Sequence, residues 1–249
     1  MLLFGLIGFP LGHSFSKTYF TDKFEKEGLG NCAFELFPIP DIHHFPGLIQ
    51  SQPNLRGLAV TIPYKEAVIP FLHQMSDEAR VIGAVNCIQI SDGLLTGYNT
   101  DVIGFEKSFS PLLEPHHKKA LVLGTGGASK AVQFILKKKG IPFLLVSRSP
   151  AQNAGVIDYS SVCEELLEQY TVIINCSPVG MSPLVLEKPA IPYEFICSQH
   201  YLYDLVYSPA ETLFLLEGSS KGAVVKNGFD MLVFQAEENW AIWNTAGRH

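Results

Sequence analysis

The apolar segment ALVLG, from Ala120, runs directly into Gly124-Thr125-Gly126-Gly127-Ala128-Ser129 and then into a helical pattern. No other stretch restricts the fold as much. Ala128, Ala131, Val132, Ile135 and Leu136 recur at the spacing of one helix face. Lys137, Lys138 and Lys139 fill the last turn, where cations suit the helix dipole, and Gly140 supplies a terminator tolerant of positive φ. Glycines let the backbone turn tightly and approach a pyrophosphate, while unpaired N–H groups and the positive dipole end of the helix bind its charge. A bare glycine pattern fits a ligand-free turn equally well, so the next strand has to separate the two readings.

That strand is FLLVSR, and its end holds Ser147-Arg148-Ser149. A site for NAD usually places a carboxylate there, about 20 residues beyond the glycines, for the ribose hydroxyls. A guanidinium flanked by two hydroxyls offers donors to a 2′-phosphate instead, which favours NADP over NAD and over an ordinary surface arginine. Two further apolar runs, TVIINCS and HYLYDLVY, end in small or polar residues as parallel strands do beside a binding crevice. Residues 103–227 are therefore predicted to form a Rossmann-like NADP-binding domain.

The first hundred residues repeat an α/β pattern: LLFGLIG, a helical stretch with Phe15, Tyr19, Phe20 and Phe24, then FELFPI and LRGLAVTIP. The segment SFSPLLEPHHKK at 108–119 breaks the pattern near a helix end and a domain crossover. The expected architecture is an α/β substrate domain over 1–102, joined by a short final helix from 228–249 that returns to it. At 249 residues, 47% of them hydrophobic, the chain is long enough for two such cores.

The formal net charge of −6 argues against nucleic acid and anionic membranes as partners. Cys32, Cys87, Cys163, Cys176 and Cys197 are scattered without C-x-x-C spacing and read as reduced core residues. The histidine pairs His43-His44 and His116-His117 lack zinc-site spacing, so no metal is expected and the histidines read as surface residues. The apolar start, Met1 to Leu11, lacks a basic n-region, and no apolar run approaches membrane-spanning length. A cytoplasmic protein is the default expectation.

Eight ordered motifs carry a family resemblance: FPLGHSFSK (9–17), VTIPYK (60–65), GAVNC (83–87), GYNTD (97–101), GTGGASKA (124–131), NCSPVGM (175–181), DLVYSPAETLFL (204–215) and NGFDMLVFQA (227–236). Together they resemble shikimate dehydrogenase over nearly the whole chain. The resemblance implies reversible NADPH-dependent reduction of 3-dehydroshikimate to shikimate, in the shikimate pathway of aromatic amino acid biosynthesis. It implies that Ser14 and Ser16 bind the substrate carboxylate with Tyr207 nearby, and that Thr61, Asn86 and Gln235 bind ring hydroxyls. Lys65 and Asp101 are the implied catalytic pair. The implied cofactor residues are Gly124, Thr125, Gly126, Gly127, Ala128, Ser147, Arg148 and Ser149, with Asp77, Leu205 and Gly228. A monomer or homodimer is expected.

A ring acid with three hydroxyls needs several short-armed donors and acceptors, which serine, threonine, asparagine and glutamine supply. Lys65 follows the strand segment LAVTI and a proline, and Asp101 follows LLTGYNT, so both can project from strand ends into one cleft. The sequence leaves open which of the two moves the proton. It also allows Lys65 to be a solvated helix-start lysine and Asp101 an N-cap of the following helix. His13, beside the substrate serines, reads as a structural hydrogen-bonder.

The chain departs from the family pattern in places. Few residues separate Arg148 from GVIDY, too few for a full crossover helix, and Ser149-Pro150-Ala151-Gln152 lacks a lysine that relatives often carry. Three rival readings stand beside the main one. A quinate/shikimate dehydrogenase using NAD should have an acidic residue at Arg148, and a methylene-tetrahydrofolate dehydrogenase would not be expected to carry GHSFS with NTD. A non-catalytic module sensing shikimate or a nucleotide predicts loss of Lys65 or Asp101.

Overall fold

The computed structural model describes residues 1–12, 14–149 and 155–245; His13 and the Pro150-Ala151-Gln152 step lie outside them. The chain divides into two compact units, Met1–Thr100 with Ala236–His249, and Asp101–Gln235.

The first unit contains β1 (Leu2–Gly8), α1 (Phe15–Lys26), β2 (Cys32–Pro38), α2 (Phe45–Ser51), β3 (Leu55–Val60), α3 (Tyr64–Ala67), β4 (Gln74–Met75), α4 (Asp77–Ile82), β5 (Cys87–Ser91) and β6 (Leu94–Tyr98). Its sheet order is β2-β1-β3-β5-β6-β4. Strands β2, β1 and β3 pair in parallel, and β5 runs antiparallel to both of its neighbours. The apolar runs of the first sixty residues are these parallel strands.

One face of this sheet carries an aromatic cluster. The rings of Phe20 and Phe34 stack at 4.7 Å, and those of Phe4 and Trp243 at 5.2 Å. Trp243 lies on β3 because position 57 is glycine: a Cβ there would sit 2.3 Å from the indole Cδ1. The buried indole N–H is satisfied by the Ile88 carbonyl at 3.0 Å, as burial of that group requires. Trp240 and Trp243 belong to the final helix, α9 (Phe229–Thr245); at 17 residues it is not the short helix the sequence suggested.

The second unit contains α5 (Asp101–Phe109), β7 (Ala120–Leu123), α6 (Gly127–Lys138), β8 (Phe143–Val146), β9 (Val156–Ile157), α7 (Glu164–Gln169), β10 (Val172–Asn175), β11 (Tyr201–Asp204), α8 (Leu213–Ser220), β12 (Val224–Lys226) and the start of α9. All its strand pairings are parallel, in the order β12-β11-β10-β7-β8-β9. Strands β7, β10 and β11 are buried throughout, which explains their continuous apolar sequence. The order reverses between β7 and β10, a topological switch point where open parallel sheets bind ligands beyond the strand carboxyl ends. Helix α6 ends as its sequence predicts, with Gly140 at φ +67. Among the described residues, no helix is long and apolar enough to cross a membrane.

Two expectations are corrected. Cys87 is buried, but Cys163 and Cys197 are exposed, so scattered position does not mean core position. His117 and His200 are not surface residues; they are 5% and 2% exposed. Each is held by its own turn, with Glu114 N donating to His117 Nδ1 at 2.9 Å and Cys197 N donating to His200 Nδ1 at 3.1 Å. An Nδ1 that accepts a backbone N–H cannot carry a proton, so both rings are neutral in the Nε2–H form.

Burial, with His116 acting second on His117, holds both imidazoles below their ordinary range. A depressed histidine means that the unfolded chain binds protons first. Stability is then fully present above about pH 6.5 and is lost as pH falls below it, by at most about 1.4 kcal/mol per pH unit for each histidine. Thermal unfolding between pH 7.5 and 5 is expected to show this loss, and a His117→Asn/His200→Asn variant, which keeps an acceptor, to show a flatter profile. An equally steep profile in the variant would assign the acid sensitivity elsewhere.

Candidate active site

In the second unit, the residues expected to bind a nucleotide gather at the carboxyl ends of the parallel strands. Gly124 follows β7 at φ +108, a left-handed value that favours glycine. A Cβ there would also lie 3.3 Å from both Cys176 C and Ser177 N, so the glycine turn and the end of β10 approach closely at the switch point. Gly126 caps α6 without a side-chain hydrogen bond, and nothing lies within 4 Å of where its Cβ would be. The twelve-residue α6 thus presents its first-turn N–H groups and its dipole past a bare backbone, with Thr125 exposed beside them. Gly127 and Ala128 open the helix, and Ser129 folds back to the Gly126 carbonyl at 2.7 Å.

Ser147, Arg148 and Ser149 follow β8, with Arg148 and Ser149 exposed and Ser149 N donating to Ser147 Oγ at 3.3 Å. Arg148 is near enough to Tyr159 for its charge to act on the phenol, although burial dominates and pushes that phenol up. Leu205 follows β11 and packs directly on Gly228, where a Cβ would meet the Leu205 carbonyl oxygen at 2.2 Å. These residues fit a dinucleotide: an uncapped helix start and glycine backbone for the pyrophosphate, and a guanidinium with hydroxyls one strand away for a phosphate on the ribose.

This unit also holds a buried carboxylate that is not among the residues expected from the sequence. Asp204, fully buried at the end of β11, accepts from Asn175 Nδ2 at 2.9 Å, Val206 N at 3.0 Å and Thr212 Oγ1 at 2.6 Å. Burial pushes its carboxyl up to about 6, against the pull of these three hydrogen bonds. Asn175 in turn accepts from Ser177 N and Ser177 Oγ, at 3.1 and 2.6 Å. Asp204 therefore ties together the loops after β10 and β11, the first of which touches the glycine turn. An aspartate closing the apolar run HYLYD, with no basic neighbour, was its signal.

Tyr207, in the loop after Asp204, is exposed, with its hydroxyl pushed up by partial burial. Asp101 is buried in the first turn of α5 rather than at its N-cap position. Gln235, on α9, is buried against α5, where a Cβ on Gly104 would lie 3.2 Å from its own Cβ.

The first unit gathers a second set at the ends of its strands. Ser14 occupies the N-cap position of α1, yet its side chain makes no capping bond, and Ser16 follows in the first turn. Thr61 follows β3, held by its N–H to the Ile7 carbonyl at 2.9 Å. Lys65 lies in the four-residue α3, anchored by Tyr64, whose hydroxyl donates to the Ile39 carbonyl at 2.6 Å. The Lys65 carbonyl accepts from Val85 N at 2.7 Å, and the Asn86 carbonyl accepts from Val60 N at 2.8 Å, which brings Thr61, Lys65 and Asn86 onto one connected piece of backbone. Asn86 is buried, and Thr100 N donates to its Oδ1 at 2.6 Å. Asp77 lies in the first turn of α4, highly exposed beside Arg80.

Comparison with known proteins gives a consistent result. Residues 6–88 match the shikimate dehydrogenase substrate binding domain. A protein of Caldanaerobacter subterraneus subsp. tengcongensis named shikimate dehydrogenase (NADP(+)) is 35% identical, over 97% of this chain and 91% of its own length. One of the same name from Carboxydothermus hydrogenoformans is 37% identical, over 96% and 91%. The crystal structure of shikimate 5-dehydrogenase from Thermus thermophilus, in complex with NADP(H) and shikimate, matches with a TM-score of 0.86 and 32% identity, covering 98% of this chain and 94% of that one.

Proposed function

The chain belongs to the shikimate dehydrogenase family, and from that membership we infer that it is an NADP-dependent oxidoreductase interconverting shikimate and 3-dehydroshikimate. The observation that carries this reading is a relationship above 30% identity along almost the entire chain, in both units.

Oxidation of the alcohol takes a hydride from the carbon bearing the 3-hydroxyl and a proton from its oxygen, and reduction returns both. Bound NADP supplies the nicotinamide that accepts or donates the hydride. The protein has to hold the ring and move the proton. We assign the proton to Lys65 and Asp101, the carboxylate to Ser14 and Ser16 with Tyr207, and the ring hydroxyls to Thr61, Asn86 and Gln235. The uncapped Ser14 hydroxyl and the shared backbone anchoring of Thr61, Lys65 and Asn86 support these roles. The backbone of Gly124 to Gly127, with Thr125 and Ala128, takes the pyrophosphate; Ser147, Arg148 and Ser149 take the 2′-phosphate; Leu205, Gly228 and Asp77 border the rest of the cofactor. Residues 1–102 with 228–249 serve as the substrate domain and 103–227 as the cofactor domain, a division supported by the compact units Met1–Thr100 with Ala236–His249 and Asp101–Gln235.

A negative net charge and free cysteines suit a cytoplasmic enzyme with small-molecule partners and no nucleic acid, working as a monomer or homodimer. The test is initial rates with shikimate and quinate, each with NADP and NAD. Shikimate with NADP should give the highest kcat/KM. No reduction with any pair would favour a sensing module.

Arg148 sets the cofactor choice. Arg148→Ala is expected to lower kcat/KM for NADP by roughly tenfold to a hundredfold, the effect of one charge-assisted hydrogen bond, while leaving NAD almost unchanged. Equal losses with both cofactors would remove Arg148 from the 2′-phosphate.

A further inference from the structure

Asn239 lies on α9, four residues after Gln235, and is 1% exposed. Trp240 beside it and Trp243 one turn on enter the aromatic core, where an apolar side chain would serve packing alone. A buried amide costs stability unless its hydrogen bonds are made. Asn239 Oδ1 accepts from Thr100 Oγ1 at 2.6 Å.

A hydroxyl has one proton to give. With that proton committed to Asn239, the Thr100 oxygen is left to accept, and Asn86 Nδ2 donates to it at 3.0 Å. At the other end of the same amide, Thr100 N donates to Asn86 Oδ1. Thr100 Oγ1 also lies 3.2 Å from Asn86 Oδ1, an acceptor to which the hydroxyl would turn if Asn239 did not take its proton. That turn would leave Asn86 Nδ2 without its acceptor on Thr100.

We propose that Asn239 is a positioning residue for substrate binding: by accepting the Thr100 hydroxyl proton it holds Thr100 Oγ1 as the acceptor for Asn86 Nδ2, so that the Asn86 amide, whose oxygen the Thr100 N–H already engages, is held at both ends in one orientation. The proposal deepens the reading of Asn86 as a ring-hydroxyl ligand and rests on it. Its chemical content is specificity, because an amide locked in one sense distinguishes a hydroxyl presented as acceptor from one presented as donor.

The test is steady-state kinetics of the full chain with Asn239→Leu, which keeps the volume and removes the acceptor, and with Asn239→Asp, which keeps an acceptor oxygen for Thr100. Asn239→Leu is expected to raise KM for shikimate about tenfold, the loss of one well-placed hydrogen bond, with kcat within about twofold and KM for NADP unchanged. Asn239→Asp is expected to restore most of the shikimate KM. Should Asn239→Leu not fold, Asn239→Ala is read in the same way. Unchanged shikimate KM beside a normally active wild type would overturn this proposal alone, as would parallel rises in both KM values. A wild type inactive on shikimate would overturn both the proposal and the functional reading beneath it.

Discussion

Replacing Lys65 by alanine is expected to lower kcat by about 10²- to 10⁴-fold, the usual effect of removing a positioned acid–base group. The loss should appear in turnover and leave the fold intact. The backbone role of position 65 runs through its carbonyl, which accepts from Val85 N at 2.7 Å, and alanine preserves that bond. The side chain is only half-buried, so truncating it opens no core cavity. Lys65→Arg separates charge from proton transfer, because a guanidinium keeps the positive charge but does not deprotonate in proteins. Both variants should bind shikimate in a direct titration while turning over slowly. Near-normal turnover of Lys65→Ala would remove Lys65 from the chemistry, and recovery of activity in Lys65→Arg would make its role electrostatic.

The largest stability effect is expected at Asp204. Alanine there removes the acceptor from three buried hydrogens, on Val206 N, on Thr212 Oγ1 and on Asn175 Nδ2, whose second hydrogen stays on the Val179 carbonyl. An unsatisfied buried donor costs about 1–3 kcal/mol, and relief of the buried carboxyl offsets part of the sum, so a net loss of about 3 kcal/mol is expected. For a chain of this size that lowers Tm by roughly 6–12 °C. Asp204→Asn keeps an acceptor for Asn175 and Val206, and its amide can donate to Thr212 Oγ1, which leaves only the Thr212 hydroxyl proton without its acceptor, so its loss should be about 1–2 kcal/mol, smaller than that of Asp204→Ala.

The pH dependence gives the comparison a sign. The folded carboxyl sits at about 6, above its unfolded value, so the folded state takes up this proton first. Its contribution is present at low pH and is lost as pH rises through about 6. Relative to Asp204→Asn, the wild type should therefore be more stable at pH 5 than at pH 8. A difference independent of pH would mean that Asp204 does not titrate in this range. KM for NADP should also rise in Asp204→Ala, since the same network holds the loop that meets the glycine turn.

The parts legible in the sequence are those fixed by local rules. The β7 turn and α6 could be read because strand, glycines, helix period and the Gly140 terminator all agree within some twenty residues. The short α3 that carries Lys65 has only four residues, too few to show any period. Burial of His117 and His200 depends on a backbone N–H supplied by the turn just before each ring, which composition does not reveal. The link from Thr100 to Asn239 spans 139 positions and exists only once α9 has packed. The full length of α9 is not legible in the sequence for a related reason, since its stability comes from aromatic contacts with β1 and α1.

The aromatic cluster has an optical consequence. Trp240 and Trp243, the chain's two tryptophans, both belong to the Met1–Thr100 and Ala236–His249 unit. Indole emission therefore originates in that unit alone, and the other half is spectrally visible chiefly through tyrosines such as Tyr201 and Tyr203. A denaturation curve followed by fluorescence at tryptophan wavelengths and one followed by far-ultraviolet dichroism would sample different parts of the molecule, so divergence between them would reveal melting in two steps.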